Sequence, residues 1–275
     1  MTLLATQFKE STKVIHSQVG RSKFLKYFFK GEVSLNLYGR FLISLYHVYS
    51  TLERELEKHK NNPQVALIYF PEELSRLKSL MQDIEFFNGP DWREMLVPIT
   101  PAQQAYISAI ERCSNSSTPE LLIAHSYVRY LGDLSGGQLL IKRLQKFNNL
   151  PEGKGAAFYQ FGLIEDADVF KDMYRKRLNQ VDVTEELRNQ IVDEVMETYL
   201  RNIDIFQEFD CEFEGKPMTE EGHEKELEKF SSEKKALMVV QDDSARGGLL
   251  GSWYPSNLWN SLVAAVSLPF ERAQV

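Results

Sequence analysis

Apolar side chains recur along most of this chain at intervals of three and four residues, which is the period of an amphipathic α-helix. The clearest run begins after Ser34, a suitable helix N-cap, and ends before the breaker Asn61-Asn62-Pro63. Its apolar positions are Leu37, Phe41, Leu45, Val48, Leu52 and Leu56. No segment shows a persuasive alternation with the period of two that marks a strand. The pattern therefore predicts an all-α fold.

Six further stretches carry helical signals, which brings the expected total to seven or eight helices. Three of them open with proline at the first helical position, at Pro71, Pro101 and Pro119, where the missing N–H removes no helix hydrogen bond. Thr100 and Gln103 also have the spacing of a capping box. The predicted ranges are 8–30, 71–88, 100–112, 118–147, 167–179 and 184–209.

The helical pattern weakens after residue 210, which divides the chain into three parts. A polar, strongly charged stretch covers residues 211–248 and is typical of a tether. Residues 249–275 turn apolar again, but their continuous apolar part, 258–270, is shorter than the roughly 20 residues that span a bilayer. We expect a single helical domain over 1–210, followed by a segment that either lies in a membrane interface or docks on that domain.

Composition narrows the class of protein. The chain has 275 residues, 43% of them hydrophobic, which is enough for one full core. Its net charge of −7 argues against nucleic acid as a partner. Two cysteines, Cys113 and Cys211, are too few for a disulfide framework and lack the spacing of a metal motif. The low cysteine count predicts a reducing, intracellular compartment. The N-terminus has no secretory signal pattern, so we expect the protein on the cytosolic side.

Residues 127–138 concentrate three glycines inside a helical pattern, where each costs about 1 kcal/mol relative to alanine. Gly132 and Gly136 are four residues apart and share one helix face, so a flat or bulky group could approach the backbone there. Arg129 and Asp133 add charge beside that face. The structural alternative is close packing of a neighbouring helix on small residues.

Two familiar motifs match this segment only in part. Residues 134–138, Leu-Ser-Gly-Gly-Gln, are the signature of ABC-type ATPases, but the chain has no Walker A loop to hold a triphosphate. The sequence around Ser135 is similar to that of a chymotrypsin-like nucleophile, but Leu134 breaks the spacing and no β-barrel is predicted. The remaining interpretation is a kinked helix lying over a planar cofactor.

A second candidate face lies near the N-terminus. Lys9, Lys13, His16 and Gly20 follow at steps of four, three and four, which places two cations, an imidazole and a gap on one side of a helix. A helical histidine is more often a surface or hydrogen-bonded residue than a ligand. Three other features favour structural interpretations: His125 as a core histidine, His59 as a solvated one, and residues 175–177 as a solvated basic face.

Four separated motifs carry a resemblance to a known family. They are Lys13-Val14-Ile15-His16, Ser44-Leu45-Tyr46-His47-Val48-Tyr49, Tyr69-Phe70-Pro71-Glu72-Glu73-Leu74, and the glycine segment 127–138. In this order and on a helical background, residues 7–209 resemble haem oxygenase. The resemblance implies a single-domain fold in which haem is sandwiched between a proximal helix and a kinked distal helix.

The resemblance also implies roles for particular residues. His16 matches the proximal ligand, whose neutral imidazole binds the haem iron. Gly132 and Gly136 match the distal glycines that let backbone lie against the porphyrin. Asp133 matches the carboxylate that holds a distal water network, with Tyr49, Arg129 and Asn202 as outer members. The positions that match the haem edge, where cations would pair with propionates, are Lys9, Lys13, Tyr127, Lys171 and Arg175.

The activity that the resemblance implies is oxidative cleavage of haem b at a meso carbon. Haem would be both cofactor and substrate, O2 the oxidant, and biliverdin, carbon monoxide and ferrous iron the products. Electrons would have to come from outside, because the chain carries no flavin or nicotinamide fingerprint. The resemblance implies that NADPH supplies them through a cytochrome reductase. Biliverdin reductase is a further implied partner. The implied location is the cytosolic face of the endoplasmic reticulum membrane, with a soluble cytoplasmic protein as the alternative.

The chain departs from the family pattern at two places. Animal members usually have a glutamate one turn after the proximal histidine, but this chain has Gly20, so a water or a carbonyl would have to replace that acceptor. The C-terminal apolar segment is shorter and more interrupted than a typical tail anchor. One branch of the family has haem-regulatory motifs in which a cysteine precedes a proline. Neither cysteine of this chain precedes a proline.

Two other functions compete with haem cleavage. A haem-binding sensor or carrier on the same scaffold would use His16 but would need neither Asp133 nor paired glycines. A di-iron helical bundle would need two Glu-x-x-His pairs, and the pair Glu220 and His223 in the tether is the one match.

Overall fold

A computed structural model describes residues 2–20 and 22–213, apart from the side chains of Ser17, Gln18, Glu212 and Phe213. Nearly all of the predicted tether and the whole apolar C-terminal segment lie outside the described residues, as do Glu220 and His223. Within the described ranges, no helix is long and apolar enough to cross a membrane.

The described residues form helices joined by short turns, and none of them lies in a strand. This confirms the predicted all-α class. Between the α-helices lie short turns of other helical types. Two of them matter for the site: the π turn Asp133–Gly137 and the 3-10 turn Ala157–Tyr159. The α-helices are α1 Leu4–Ser11, α2 Lys13–Val19, α3 Lys23–Lys30, α4 Leu35–Lys58, α5 Pro71–Leu74, α6 Leu77–Asn88, α7 Pro101–Asn115, α8 Leu122–Gly132, α9 Gln138–Asn148, α10 Ala167–Leu178 and α11 Glu185–Phe213.

The predicted helix 8–30 is wrong as one element, because the structure divides it into α1, α2 and α3. The side chain of Ser22 caps α3 by accepting a hydrogen bond from Leu25 N at 3.3 Å. Asp210, near the end of α11, accepts from Ser22 Oγ at 2.9 Å and from Phe24 N. A distant helix thus supplies the acceptor that starts α3, which local periodicity does not reveal.

The predicted helix 71–88 is likewise divided, into α5 and α6. The carboxylate of Glu53, on α4, accepts hydrogen bonds from the backbone N of Arg76 at 2.5 Å and of Leu77 at 3.1 Å. These two N–H groups lie at the start of α6 and have no partner within that helix. The interruption therefore depends on a tertiary contact with α4.

Two predicted caps are confirmed. Ser34 Oγ accepts from Leu37 N at 3.2 Å at the start of α4. Thr100 and Gln103 form the reciprocal capping box at the start of α7, at 3.1 and 3.3 Å.

Helices α4 and α11 organise the packing. The centre of α4 is buried almost all round, and α6, α7 and α8 pack against it. Helix α11 runs beside α8 and also contacts α1, α2, α3 and α7. Ile15 of α2 packs with Leu200 and Ile203 of α11 in a small apolar cluster. One long helix therefore supports both the helix that bears His16 and the helix that leads into the glycine segment.

Candidate active site

The glycine segment forms an open, side-chain-free surface. Helix α8 passes through the π turn Asp133–Gly137 into α9. Gly132 and Gly136 are exposed, and a Cβ atom added to either would meet no atom within 4 Å. Close packing of a neighbouring helix on these two glycines is therefore wrong. The backbone is accessible there to a flat partner.

Gly137 serves a different purpose. A Cβ atom at this position would lie 2.7 Å from Cε1 of Tyr159, so the buried tyrosine ring packs directly on the backbone. The Gln138 amide donates to the carbonyl oxygens of Asp133 at 3.1 Å and Tyr159 at 2.9 Å. The side of the π turn away from the open surface is thus held by the 3-10 turn that contains Tyr159.

Two buried charged residues of α6 and its N-cap fix that 3-10 turn. Asp83 accepts hydrogen bonds from Ala157 N at 3.0 Å and Phe158 N at 2.8 Å. Arg76 donates to Gln160 O at 2.6 Å. Its guanidinium also lies 4.1 Å from the ring centroid of Phe161. Sequence reasoning missed both residues, because a charged residue in an amphipathic helix has the pattern of a solvated one.

A buried polar network surrounds the carboxylate of the π turn. Tyr49 donates its hydroxyl proton to Oδ2 of Asp133, and Arg129 Nη2 lies 3.6 Å from Oδ1. Arg129 Nε donates to the Tyr49 hydroxyl at 3.2 Å, and its Nη1 donates to the Asn202 side-chain oxygen. The four residues predicted for the distal network are therefore in contact.

Tyr106 extends this network and was missed. Asn202 Nδ2 donates to the Tyr106 hydroxyl at 3.3 Å, and burial raises the pKa of Tyr106 to about 12. Tyr106 lies on α7, and nothing in the sequence indicated that it has a polar partner on α11.

The pKa of Asp133 is raised above its ordinary value. Burial is the largest cause, and the positive charges of Arg129 and Arg76 and the hydrogen bond from Tyr49 oppose it. Burial also raises the pKa of Tyr49 far above its usual range, which keeps its proton in place as a donor. Asp133 consequently holds a proton more readily than an exposed aspartate does.

His16 projects from α2 and remains accessible. Partial burial by surrounding protein nevertheless lowers the pKa of its imidazole, and the Tyr199 ring of α11 meets it edge-on with 5.7 Å between centroids. Both features favour a neutral, oriented imidazole, which is the form that binds a metal ion.

A cationic edge borders the glycine segment. Lys171 Nζ, on α10, donates to Ser135 Oγ at 3.2 Å and pairs with Asp168 at 2.8 Å. Arg175 pairs with Asp172 at 2.8 Å and hydrogen-bonds Tyr127.

The other two predicted cations lie on the neighbouring N-terminal helices. Lys9 of α1 and Lys13 of α2 are exposed, and α1 packs on α10. The ring of Phe8, also on α1, meets the Tyr127 ring at 5.0 Å between centroids. The structure therefore brings Tyr127, Lys171 and Arg175 together, with Lys9 on an adjoining helix.

The structural interpretations of the other polar residues have mixed outcomes. His125 is completely buried, as predicted. Lys176 and Arg177 are exposed, in agreement with a solvated face, whereas Arg175 is half-buried. The prediction that His59 is solvated is wrong: its side chain is half-buried, and Nε2 lies 2.9 Å from Ser114 Oγ on α7.

Comparison with known proteins establishes the family. A family model described as Heme oxygenase matches residues 2–208, so the chain belongs to the haem oxygenase family. It is 45% identical to Heme oxygenase 1 of Bos taurus over 206 residues, which cover 74% of this chain and 71% of that protein. It is 44% identical to Heme oxygenase 1 of Synechocystis sp. over 207 residues, covering 75% and 85%.

Solved structures agree with this assignment. Heme oxygenase-1 of Synechocystis sp. in complex with heme has a TM-score of 0.70 at 43% identity, covering 75% of this chain and 92% of that one. The heme oxygenase of Leptospira interrogans has a TM-score of 0.71 at 42% identity, covering 75% and 100%.

Proposed function

We propose that the glycine surface, His16 and the cationic edge together bind haem for cleavage. As a member of the haem oxygenase family, the chain is an oxidoreductase that cleaves haem to biliverdin. The observation that supports the placement is the open space over Gly132 and Gly136, which a Cβ atom at either position would begin to fill. A planar macrocycle needs such a bare surface to reach backbone contact distance.

The polar groups around that surface fit the remainder of the substrate. Lys171 and Arg175 are cations beside the glycine segment, so they suit the two propionates of haem. Lys9 and Lys13 would extend the same edge from α1 and α2. His16 would hold the iron through its neutral imidazole.

Asp133 would supply, through a water molecule, the proton that the oxidation requires. Haem supplies, when bound and reduced, the centre at which oxygen reacts. Tyr49 occupies Oδ2 of Asp133, so Oδ1 is the oxygen that would hold a water molecule and pass its proton on. Arg129, on α8, keeps the carboxylate in place, and Asn202 of α11 holds the Arg129 side chain. The raised pKa of Asp133 makes its reprotonation easier than that of an exposed aspartate.

The proposal extends to partners. We expect O2 as oxidant, carbon monoxide and ferrous iron as further products, and electrons from an NADPH-dependent cytochrome reductase. Biliverdin reductase would take up the product.

Optical spectroscopy of the full chain tests the proposal. One equivalent of hemin is added without oxygen, followed by reductant and air. The expected result is loss of the Soret band and growth of biliverdin absorption. A carrier or sensor would keep its Soret band through repeated cycles, and that outcome would contradict the proposed function.

His16→Ala tests the iron ligand. The variant should still take up hemin through the pocket walls but should lose ring cleavage and the spectrum of an imidazole-bound haem. The matched control is His59→Ala, which removes a histidine that contacts Ser114 on α7. Unchanged biliverdin output from His16→Ala would contradict the assignment.

Membrane attachment through residues 249–275 is a separate proposal. Replacing Trp253 and Trp259 with serine in the full chain should abolish co-flotation with phospholipid vesicles if these residues lie in the interface. If the wild type and the double variant float equally, or if neither floats, the result would favour the alternative in which the segment docks on the helical domain.

A further inference from the structure

We propose that Cys113, His125 and Glu194 form a binding site for a divalent transition-metal ion such as Zn²⁺, apart from the proposed haem site. The three residues come from α7, α8 and α11, which pack against one another. Cys113 and His125 are completely buried, and Glu194 is 5% exposed. Each offers one ligand atom, and the three atoms lie within 4.8 Å of one another.

Two of the three distances between ligand atoms are close to those around a tetrahedral ion, and the third is within 4.8 Å. Cys113 Sγ lies 3.6 Å from His125 Nε2, which lies 3.0 Å from Glu194 Oε1. Ordinary Zn–S, Zn–N and Zn–O bond lengths give tetrahedral edges of about 3.5 Å between sulfur and nitrogen and about 3.3 Å between nitrogen and oxygen. Small side-chain shifts would therefore admit the ion.

The hydrogen-bond inventory around His125 points the same way. Thr198 donates its one hydroxyl proton to Glu194 O at 2.7 Å, so it can only accept from Nδ1 of His125 at 3.2 Å. A neutral His125 then presents the lone pair of Nε2 to a carboxylate oxygen 3.0 Å away. Two electron-rich atoms at that distance need a proton or a metal ion between them.

The thiol supplies a third ligand. A proton alone would satisfy the pair of His125 and Glu194, and the Cys113 thiol would then be a weak hydrogen-bond partner beside them. The 3.6 Å between Sγ and Nε2 also suits two ligands of one shared ion. Sulfur, imidazole nitrogen and carboxylate oxygen together are the ligand types that zinc prefers.

Residues around the cluster could support the ion. Thr198 fixes the imidazole through Nδ1, as outer partners of metal-bound histidines do. Arg112 donates to Glu194 Oε2 at 2.8 Å and to Oε1 at 3.0 Å, so it can keep Oε2 when Oε1 turns to the ion. Its side chain is 56% exposed and connects the cluster with solvent.

The charges balance on binding. A thiolate and a carboxylate offset the two positive charges of the ion, and the thiol proton of Cys113 passes to solvent, together with any proton on Nε2. Three protein ligands leave the fourth tetrahedral position for a water molecule.

Cobalt titration of the full, haem-free chain tests the site. The protein is reduced, stripped with a chelator and titrated with Co²⁺, which reports thiolate ligation through a charge-transfer band. We expect one equivalent to bind with that band and to be displaced by Zn²⁺. His16→Ala should behave as the wild type, which separates this site from the proposed haem ligand.

The second cysteine provides the matched control. In Cys211→Ser, Cys113 is the sole cysteine, so a retained band must come from it, whereas Cys113→Ser should lose the band. This design does not depend on whether Cys113→Ser folds. Absence of the band in the wild type, or its loss in Cys211→Ser, would overturn the proposal and leave a proton-bridged histidine and carboxylate.

Discussion

Replacing a glycine of the open surface with alanine adds one methyl group, which should make the haem-free protein more stable and should weaken its binding of haem. Gly132 has helical dihedral angles, φ −61° and ψ −47°, and neither it nor Gly136 would bring a Cβ within 4 Å of another atom. Alanine at a compatible helical position is better than glycine by about 1 kcal/mol. For a domain of this size, that corresponds to a rise of about 2–4 °C in Tm.

The same methyl group should obstruct haem. A Cβ atom stands about 1.5 Å out from the backbone, into space that we assign to the macrocycle. Overpacking of a close contact costs about 1–3 kcal/mol, equivalent to a roughly 5- to 150-fold loss of affinity. Gly136→Ala should therefore show a higher Tm without hemin and weaker hemin binding in a Soret titration.

Gly137→Ala is the matched control. Its Cβ would lie 2.7 Å from the ring of Tyr159, so this variant should lose about 1–3 kcal/mol of stability despite the same gain in helix propensity. The reasoning fails if Gly136→Ala binds hemin like the wild type, or if the Tm values of the two variants move in the same direction.

Three further predictions concern buried carboxylates. In the metal-free protein, where a proton bridges His125 and Glu194, the hydrogen bonds and charges of His125 and Arg112 outweigh burial and lower the pKa of Glu194 to about 2. About 3 kcal/mol of stability should therefore be lost as pH falls from about 4.5 to 2, and Glu194→Gln should reduce this acid-dependent loss in urea titrations. Asp83→Asn should lower stability by about 1–3 kcal/mol, seen as a lower urea midpoint, because two backbone N–H groups lose a charged acceptor. Asp133→Asn should keep hemin binding but slow biliverdin formation roughly 10²- to 10⁴-fold in single-turnover assays; a wild-type rate would exclude the proton role.

Periodicity and caps predicted most of the helices. The run of apolar residues in α4 and the capping box at Thr100 are local signals, and the structure has both where the sequence placed them. The divisions at Ser22 and Arg76 depend instead on acceptors from α11 and α4, far away in sequence. A local pattern cannot contain such information.

The candidate site was predictable where one helix carried the signal. Gly132, Gly136 and Asp133 stand close together in the chain, and an interruption of helix by glycine is visible in the letters. Asp83 and Tyr106 act across helix contacts, so their sequence neighbourhoods look ordinary. The grouping of Cys113 with His125 and Glu194 is likewise a product of three helices packing together.

The π turn between α8 and α9 also constrains how this protein can change in length. A π turn holds one residue more than the α-helix that it interrupts, so the apolar sides of α8 and α9 are offset by one position. Deleting one residue of 133–137 would remove that offset and leave a continuous α-helix, in which Ile141 and Leu144 still face the core. An added residue has no such outlet: because each helical residue turns the chain by about 100°, it would rotate Ile141 and Leu144 away from the core. Insertions should therefore be tolerated in the loops long before they are tolerated here.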